Sequence, residues 1–306
     1  KRDKNNLGRF HISPSIETSL DQITNNNIVD SAEFERSVLP ILEKQLLRVI
    51  KKNPQKIEVI IKDLHINISN TKELLEIIYS RLSKVYSEKM LSFRTLTLQE
   101  VILLGYLSFK ETSNIRYHPR EKNILEEKII YLDLEGLTSK IAIMKDGEII
   151  KSTSLSVGAD AVSIEIAKKK DIHIDFLEAK MKQIQISIKE QLNYFSKNDY
   201  DIKHCVCIGG YLISGVRAYN SHRFFQTKYH NSNLKIITDF IINTSKKFKD
   251  NPLKYKQRYY YHLKKFSTLI ILQEVLIYFN ITNHYLALDN TRIGAFYQIY
   301  RTIKPQ

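Results

Sequence analysis

An acidic residue closes a run of apolar residues near the middle of the chain. Residues 128–134 read KIIYLDL, typical of a buried strand with Asp133 near its end, and EGLTS follows, with Gly136 and Thr138. A carboxylate at a strand end can hold Mg²⁺, and a glycine turn lets backbone N–H groups approach phosphate oxygens closely. The pattern therefore predicts a phosphate and metal site. The alternative is a solvated turn aspartate that happens to precede a hairpin.

A second carboxylate, Glu100, stands three residues after Thr97 at the start of a predicted helix. This spacing is that of a capping box, in which the two side chains satisfy backbone N–H groups at the helix start. A catalytic carboxylate in the same place could instead orient a water molecule for attack on phosphorus. The spacing alone leaves both interpretations open.

Two glycines, Gly209 and Gly210, end a predicted strand in the sequence HCVCIGG. They could contact phosphate through backbone N–H groups or form a tight turn, and the two roles are compatible. In the same strand, apolar neighbours of Cys205 and Cys207 favour a buried reduced pair over a disulfide or a metal site. A reducing compartment, the cytoplasm, is therefore expected.

The elements that must position these residues follow from hydrophobic periodicity. Helices are predicted over residues 31–51, 71–82, 97–109, 176–195, 234–247, 259–279 and 293–303. Strands are predicted over residues 56–61, 92–96, 128–134, 139–144, 148–155, 203–208 and 285–288, with Asp146-Gly147 as a hairpin turn. In the first helix, Ser31 is the predicted cap, and Pro40 predicts a kink or a later start. Strands that alternate with helices predict an α/β fold.

The bulk composition is that of a soluble globular protein. The chain has 306 residues, 43% hydrophobic and 26% charged, which is enough for two domains with real cores. No apolar run reaches about 18 residues, so no transmembrane helix is predicted. The first residues, KRDKNN, lack the apolar segment of a secretory signal and read as if the chain began inside a domain.

The formal net charge of +14 raises polyanions as partners. The lysines are scattered, and the chain is rich in Lys, Asn, Ile and Tyr throughout, a composition that codon bias alone could produce. A dedicated nucleic-acid surface is therefore not the expected reading. A basic field that attracts polyanionic phosphates is the safer interpretation.

Five segments, taken together, resemble one family. They are LTLQEVILLGYLS from Leu96, LDLEGLTSK from Leu132, SLSVGA from Ser154, CIGGYLISGV from Cys207 and TRIGAFYQIY from Thr291. Their order and spacing are similar to the exopolyphosphatase / guanosine pentaphosphate phosphohydrolase (Ppx/GppA) family. The resemblance implies two actin-like, ribonuclease-H-like domains of α/β class with a site in the cleft between them. It implies a first lobe over 1–118, a linker over 119–127 and a second lobe over 128–306, whose last helix packs back toward the first.

The same resemblance implies hydrolysis of phosphoanhydride bonds in polyphosphate or guanosine penta/tetraphosphate. Glu100 matches the catalytic glutamate, and Asp133 matches a residue expected to hold Mg²⁺. The residues expected to contact phosphate are Gly136, Thr138, Gly209, Gly210 and Arg292, the last with an interdomain ion pair as its alternative. A homodimer is an option that the family suggests, whereas membrane and nucleic-acid partners are not expected.

Several departures from the family pattern bear on activity. The Asp-x-Gly-Ser-Asn-Ser phosphate loop has no counterpart, so the first lobe is expected to be N-terminally truncated. Ile66 replaces a phosphate-binding arginine, Glu135 and Leu137 replace glycines, and Lys140 replaces an acidic residue. A lysine could restore some phosphate affinity but would repel Mg²⁺. The alternative function is therefore a catalytically impaired relative that binds phosphate polymers or nucleotides in a regulatory role.

Overall fold

The computed structural model describes somewhat more than half of the chain. The described residues are 24–25, 28–51, 57–61, 71–84, 91–116, 127–136, 138–160, 174–196, 201–209, 252–281, 283–287, 294–295 and 298. The chain divides into two compact units, residues 1–97 and 98–306. The predicted lobe boundary at 119–127 falls almost wholly outside the described residues and stays a prediction.

The first unit contains two small sheets and three helices. Strands β1 (Thr24–Asn25) and β2 (Ile28–Val29) form an antiparallel pair that the sequence did not predict. Strands β3 (Ile57–Ile61) and β4 (Leu91–Thr95) pair in parallel, as expected for two strands joined through a helix. The helices of the unit are α1 (Ser31–Ser37), α2 (Leu39–Ile50) and α3 (Thr71–Ser83).

Pro40 separates α1 from α2, as predicted. Proline has no N–H to donate to the residue four positions earlier, and the helix is interrupted at Val38, just before it. The predicted cap, Ser31, is wrong. Asp30 caps α1, since its Oδ1 accepts from the backbone N–H of Glu33 at 2.9 Å. The Ser31 hydroxyl instead donates to Glu73 of α3 at 2.6 Å.

The second unit is built on a five-stranded mixed sheet. Its strands are β5 (Ile129–Leu134), β6 (Ser139–Lys145), β7 (Glu148–Leu155), β8 (His204–Ile208) and β9 (Asn283–Ala287). The spatial order is β7-β6-β5-β8-β9, with antiparallel pairing from β7 to β5 and parallel pairing from β5 to β9. The predicted α/β class and its antiparallel hairpin are confirmed.

Helices cover both faces of this sheet. Helices α5 (Ile174–Leu192) and α6 (Pro252–Tyr278) pack on one face, against alternate residues of β5 and β8 such as Leu132 and Cys207. Helix α4 (Leu98–Arg116) packs on the other face, where Tyr131 lies. Cys205 and Cys207 are buried and form no disulfide; their thiols are hydrogen-bonded to each other, with the Sγ atoms 3.3 Å apart. No helix among the described residues is both long and apolar enough to cross a membrane.

Two predicted helix boundaries are corrected. Helix α4 continues through Arg116, beyond the predicted end at residue 109. Helix α6 starts at Pro252 instead of residue 259, with proline at the first helical position, where its missing N–H costs nothing. The predicted helix over 234–247 lies outside the described residues. Of the last helix, only residues 294, 295 and 298 are described as helical.

Gly294 explains how the last helix can lie so close to α4. A Cβ atom at Gly294 would stand 1.7 Å from the backbone oxygen of Leu104, so only glycine fits there. The glycine of the Arg-x-Gly match therefore has a packing role. Its partner in that match, Arg292, lies outside the described residues.

Candidate functional site

Asp133 lies next to last in β5, the central strand of the mixed sheet. It pairs across the sheet with Lys140 of β6 on one side and Ile208 of β8 on the other. The residue is only 5% exposed. A solvated turn aspartate is therefore the wrong interpretation, because a carboxylate withdrawn from water must be stabilised by its surroundings.

The phenol of Tyr131, two residues before Asp133, points from the same face of the sheet toward α4. A Cβ atom at Gly105 of α4 would lie 1.8 Å from its hydroxyl, so glycine is needed at that crossing. Burial, with a smaller contribution from the charge of Asp133, raises the pKa of Tyr131 well above its usual value. The face that carries Asp133 is thus covered by the helix that begins with Leu98.

Glu100 lies in the first turn of α4 and is half-buried. It belongs to the same compact unit as Asp133, and its helix packs on the face of the sheet that Asp133 shares with Tyr131. Its catalytic assignment and the capping-box alternative both stay predictions.

The residues after Asp133 form a closed turn. The backbone N–H of Glu135 donates to the carbonyl of Thr138 at 3.2 Å, which brings the chain back into β6. The hydroxyl of Ser139 is buried and donates to the carbonyl of Val157 at 2.7 Å. We refer to Glu135, Gly136, Thr138 and Ser139 as the strand-end turn.

The segment that follows β7 packs directly against the strand-end turn. The backbone N–H groups of Ala159 and Asp160 donate to the carbonyls of Glu135 and Gly136 at 2.6 and 2.7 Å. Two of the segments that resemble the Ppx/GppA family, LDLEGLTSK and SLSVGA, are therefore joined by backbone hydrogen bonds. Such bonds fix the turn geometry without using any side chain of the turn.

Gly136 lies close to the Asp160 side chain where the two segments meet. A Cβ atom there would lie 2.7 Å from Oδ2 of Asp160. The other oxygen of that carboxylate, Oδ1, forms an ion pair with Nζ of Lys264 in α6 at 2.8 Å. Sequence reasoning did not single out Asp160 or Lys264. The only signal was the position of Asp160 directly after SLSVGA, since Lys264 comes from a distant helix.

Four of the predicted site residues lie at one edge of the sheet. Strands β5 and β8 are parallel, so Gly209, which directly follows β8, lies at the same edge as the strand-end turn. Asp133, Gly136, Thr138 and Gly209 are thus brought to one edge. Gly210 and Arg292 lie outside the described residues. The role of each of these residues in binding stays a prediction.

Lys140 is the most unusual residue of the site. Its side chain is completely buried, and its ammonium forms an ion pair with the carboxylate of Glu135. Lysine is almost never fully buried unless its charge is paired. Both residues depart from the Ppx/GppA pattern, and the structure places these two departures in contact.

The surroundings of Asp133 do not fit a divalent cation. Its cross-strand neighbour in β6 is the buried Lys140, which projects on the same face of the sheet, and a fixed ammonium repels a metal ion at short range. Among the described residues, no three His, Cys, Asp or Glu side chains come together as metal ligands. The expectation of Mg²⁺ at Asp133 stays a prediction that this arrangement argues against.

No protein-family model matches the chain, and no curated protein matches it. Solved structures do. An exopolyphosphatase-like protein superposes with a TM-score of 0.64 at 10% identity, over 93% of this chain and 89% of its own. The Aquifex aeolicus member of the Ppx/GppA family gives a TM-score of 0.59 at 13% identity, over 93% and 87%.

An exopolyphosphatase from Cytophaga hutchinsonii gives a TM-score of 0.59 at 9% identity, over 91% of this chain and 85% of its own. At such low identities the likeness concerns the fold. The resemblance read from the five sequence segments is confirmed at that level: over about 90% of its length, the chain has the fold of the solved Ppx/GppA structures.

Proposed function

We propose that this protein acts on phosphoanhydride chains, either polyphosphate or guanosine penta/tetraphosphate, as a Ppx/GppA-type phosphohydrolase. The observation that carries the proposal is the strand-end turn, which begins two residues after Asp133 and accepts backbone hydrogen bonds from Ala159 and Asp160. A rigid glycine-containing turn is suited to present backbone N–H groups to phosphate oxygens. The net charge of +14 supports a polyanionic ligand.

In this proposal, each candidate residue has one task. Gly136 and Thr138 of the strand-end turn bind phosphate oxygens together with Gly209 and Gly210, and Arg292 offsets the charge that develops on the transferred group. Glu100 orients a water molecule and accepts its proton as the water oxygen bonds to phosphorus and the bridging P–O bond breaks. Positioning and electrostatics supply most of the rate in such reactions.

A second candidate function is binding without efficient hydrolysis. The ion pair between Lys140 and Glu135 favours it, because that pair fills part of the strand-end turn with side chains where the family pattern has a glycine. A protein of this kind would retain a phosphate polymer or nucleotide and serve a regulatory role. The buried thiols of Cys205 and Cys207, which form no disulfide, support a reducing compartment for either function.

Release of inorganic phosphate from long-chain polyphosphate and from pppGpp separates the two candidates. Wild type is compared with Glu100→Ala, both with Mg²⁺ and with EDTA. Loss of a water-orienting carboxylate is expected to lower the rate about 100-fold or more. Gln99→Ala is the matched control, because this exposed neighbour in the same helical turn has no assigned role.

Release that Glu100→Ala removes and Gln99→Ala keeps supports the phosphohydrolase. Retention of labelled polyphosphate or pppGpp without release supports the binding protein. A wild-type protein that neither releases phosphate nor retains either ligand contradicts both candidates.

A further inference from the structure

We propose that the ammonium of Lys140 holds the place beside Asp133 that a divalent cation would otherwise take, so that the site receives a phosphate chain without a metal ion. That Lys140 excludes a metal ion is inferred from the residues of this chain and does not depend on the proposed function. The phosphate ligand rests on the proposed function.

Lys140 is fully buried in the strand next to that of Asp133. Its side chain is 0% exposed, and withdrawal of an ammonium from water is unfavourable unless anionic partners surround it. The carboxylate of Glu135, itself 20% exposed, provides one such partner. In this conformation the Lys140 ammonium is buried and cannot contact a ligand. We therefore do not assign it the phosphate binding that the sequence suggested.

The register of the sheet pairs Lys140 with Asp133. Asp133 and Lys140 are paired residues of β5 and β6, and directly paired residues place their side chains on the same face of the sheet. Asp133 is 5% exposed. Lys140 therefore neighbours two carboxylates: it is paired with Asp133 across the strands and forms an ion pair with Glu135.

Hydrogen bonds close the strand-end turn beside Lys140. The buried Ser139, which lies between Thr138 and Lys140, donates to the carbonyl of Val157, and Ala159 donates to the carbonyl of Glu135. These bonds hold both partners of the ion pair in one closed segment. The fixed ammonium of Lys140 then offsets negative charge of the two carboxylates, Asp133 and Glu135. In an open site a Mg²⁺ ion would offset that charge.

Binding of Mn²⁺, followed by the electron paramagnetic resonance of the free ion, tests the inference directly. Wild type and Asp133→Asn are expected to bind equal amounts of Mn²⁺. Lys140→Gln is expected to gain one Mn²⁺ per chain, bound at least tenfold more tightly than by wild type, because two carboxylates are then left without their cation. This gain should disappear in Lys140→Gln/Asp133→Asn.

Lys145→Gln is the matched control, since it removes an exposed lysine from the end of the same strand. It should bind Mn²⁺ as wild type does. The inference is overturned if wild type binds one Mn²⁺ that Asp133→Asn removes, or if folded Lys140→Gln binds no more Mn²⁺ than wild type. Circular dichroism confirms folding, and the comparison of wild type with Asp133→Asn decides the matter even if Lys140→Gln does not fold.

Binding of fluorescent polyphosphate to wild type gives the second measurement. The affinities in Mg²⁺ and in EDTA are expected to agree within about twofold once ionic strength is matched. An affinity that falls more than tenfold in EDTA would overturn the inference. If no polyphosphate or pppGpp binds, the proposed function fails, whereas the Mn²⁺ measurement still judges the role of Lys140.

Discussion

The hydroxyl group of Tyr131 lies against the backbone of Gly105, and none of the described residues provides it with a hydrogen-bond partner. Helix α4 packs closely on the sheet at this point, and the Tyr131 hydroxyl is buried there without a hydrogen bond from the described residues. Such an atom usually destabilises a fold by about 1–3 kcal/mol. At this contact, close packing of the helix on the sheet is retained although one hydroxyl group has no hydrogen bond.

Substitution at this contact should give opposite results on its two sides. We expect Tyr131→Phe to leave the free energy of unfolding unchanged or to raise it by about 1 kcal/mol, because the unsatisfied hydroxyl is removed. Gly105→Ala should lower it by about 2 kcal/mol or more, since the new Cβ would overlap the hydroxyl. Urea unfolding of the single and double variants measures both effects.

The double variant provides the control for this prediction. Gly105→Ala should cost less in the Tyr131→Phe background, although the Cζ atom at 2.9 Å still limits the relief. Equal costs in both backgrounds would show that the hydroxyl does not set the spacing between α4 and the sheet.

At the scale of elements, one buried carboxylate joins the two helices on the opposite face of the sheet. Glu274 of α6 is 2% exposed; its Oε1 accepts from Nε2 of Gln185 in α5 at 2.7 Å. Oε2 of Glu274 is 3.5 Å from Nζ of Lys189, a mostly exposed lysine of α5. The pairing of α5 with α6 therefore depends on a polar contact inside an otherwise apolar cluster.

We expect Gln185→Leu to destabilise the fold by about 1–3 kcal/mol, because it leaves the Glu274 carboxylate buried without its hydrogen-bond donor. Glu274→Leu should be close to neutral, since an apolar side chain of similar size removes the charge that must be neutralised. Lys182→Ala, at an exposed position of α5, serves as the control. A larger loss for Glu274→Leu than for Gln185→Leu in urea unfolding would contradict this account.

At the scale of the whole molecule, we expect the free energy of unfolding to depend on pH because of His284, a buried histidine of β9. Burial lowers the pKa of His284 to about 4, against 6.5 for the free side chain. The folded protein therefore holds this side chain neutral, and the unfolded chain takes up a proton first. The resulting stability is fully present above pH 6.5 and is lost as the pH falls from 6.5 toward 4.

The shift corresponds to about 3 kcal/mol at most, from 1.36 kcal/mol per unit. We expect His284→Leu to flatten the fall in unfolding free energy between pH 6.5 and 4.5, measured by urea unfolding at each pH. Lys203→Gln, at an exposed position before β8, should leave the pH dependence unchanged. A wild-type slope that persists in His284→Leu would assign the acid sensitivity to other groups.

Much of the second unit could be predicted from sequence because its signals are local. The hairpin of β6 and β7 turns at Asp146-Gly147, where φ values of 53° and 84° are those that this residue pair tolerates best. In the first unit, the helix interruption before Pro40 follows just as directly from the missing N–H of proline. Both features depend on neighbours in the chain, which a sequence displays.

Other features depend on contacts that no local pattern encodes. Asp30 and Ser31 are both good caps, and the choice between them follows from Glu73, which takes the Ser31 hydroxyl in the folded unit. The ion pair of Lys140 with Glu135 depends on how the turn directs two side chains, which spacing does not reveal. The sequence could indicate where a site lies, but not which charges meet inside it.

The order of strands in the mixed sheet has a kinetic consequence. Strands β5, β6 and β7 are consecutive in the chain, whereas β8 and β9 join from far along it. Because closing a long loop costs more entropy than closing a short one, we expect the three-stranded meander to form early during folding and the parallel strands to dock onto it later. The strand-end turn would then exist before the rest of the sheet, and substitutions within it should slow folding more than they hasten unfolding.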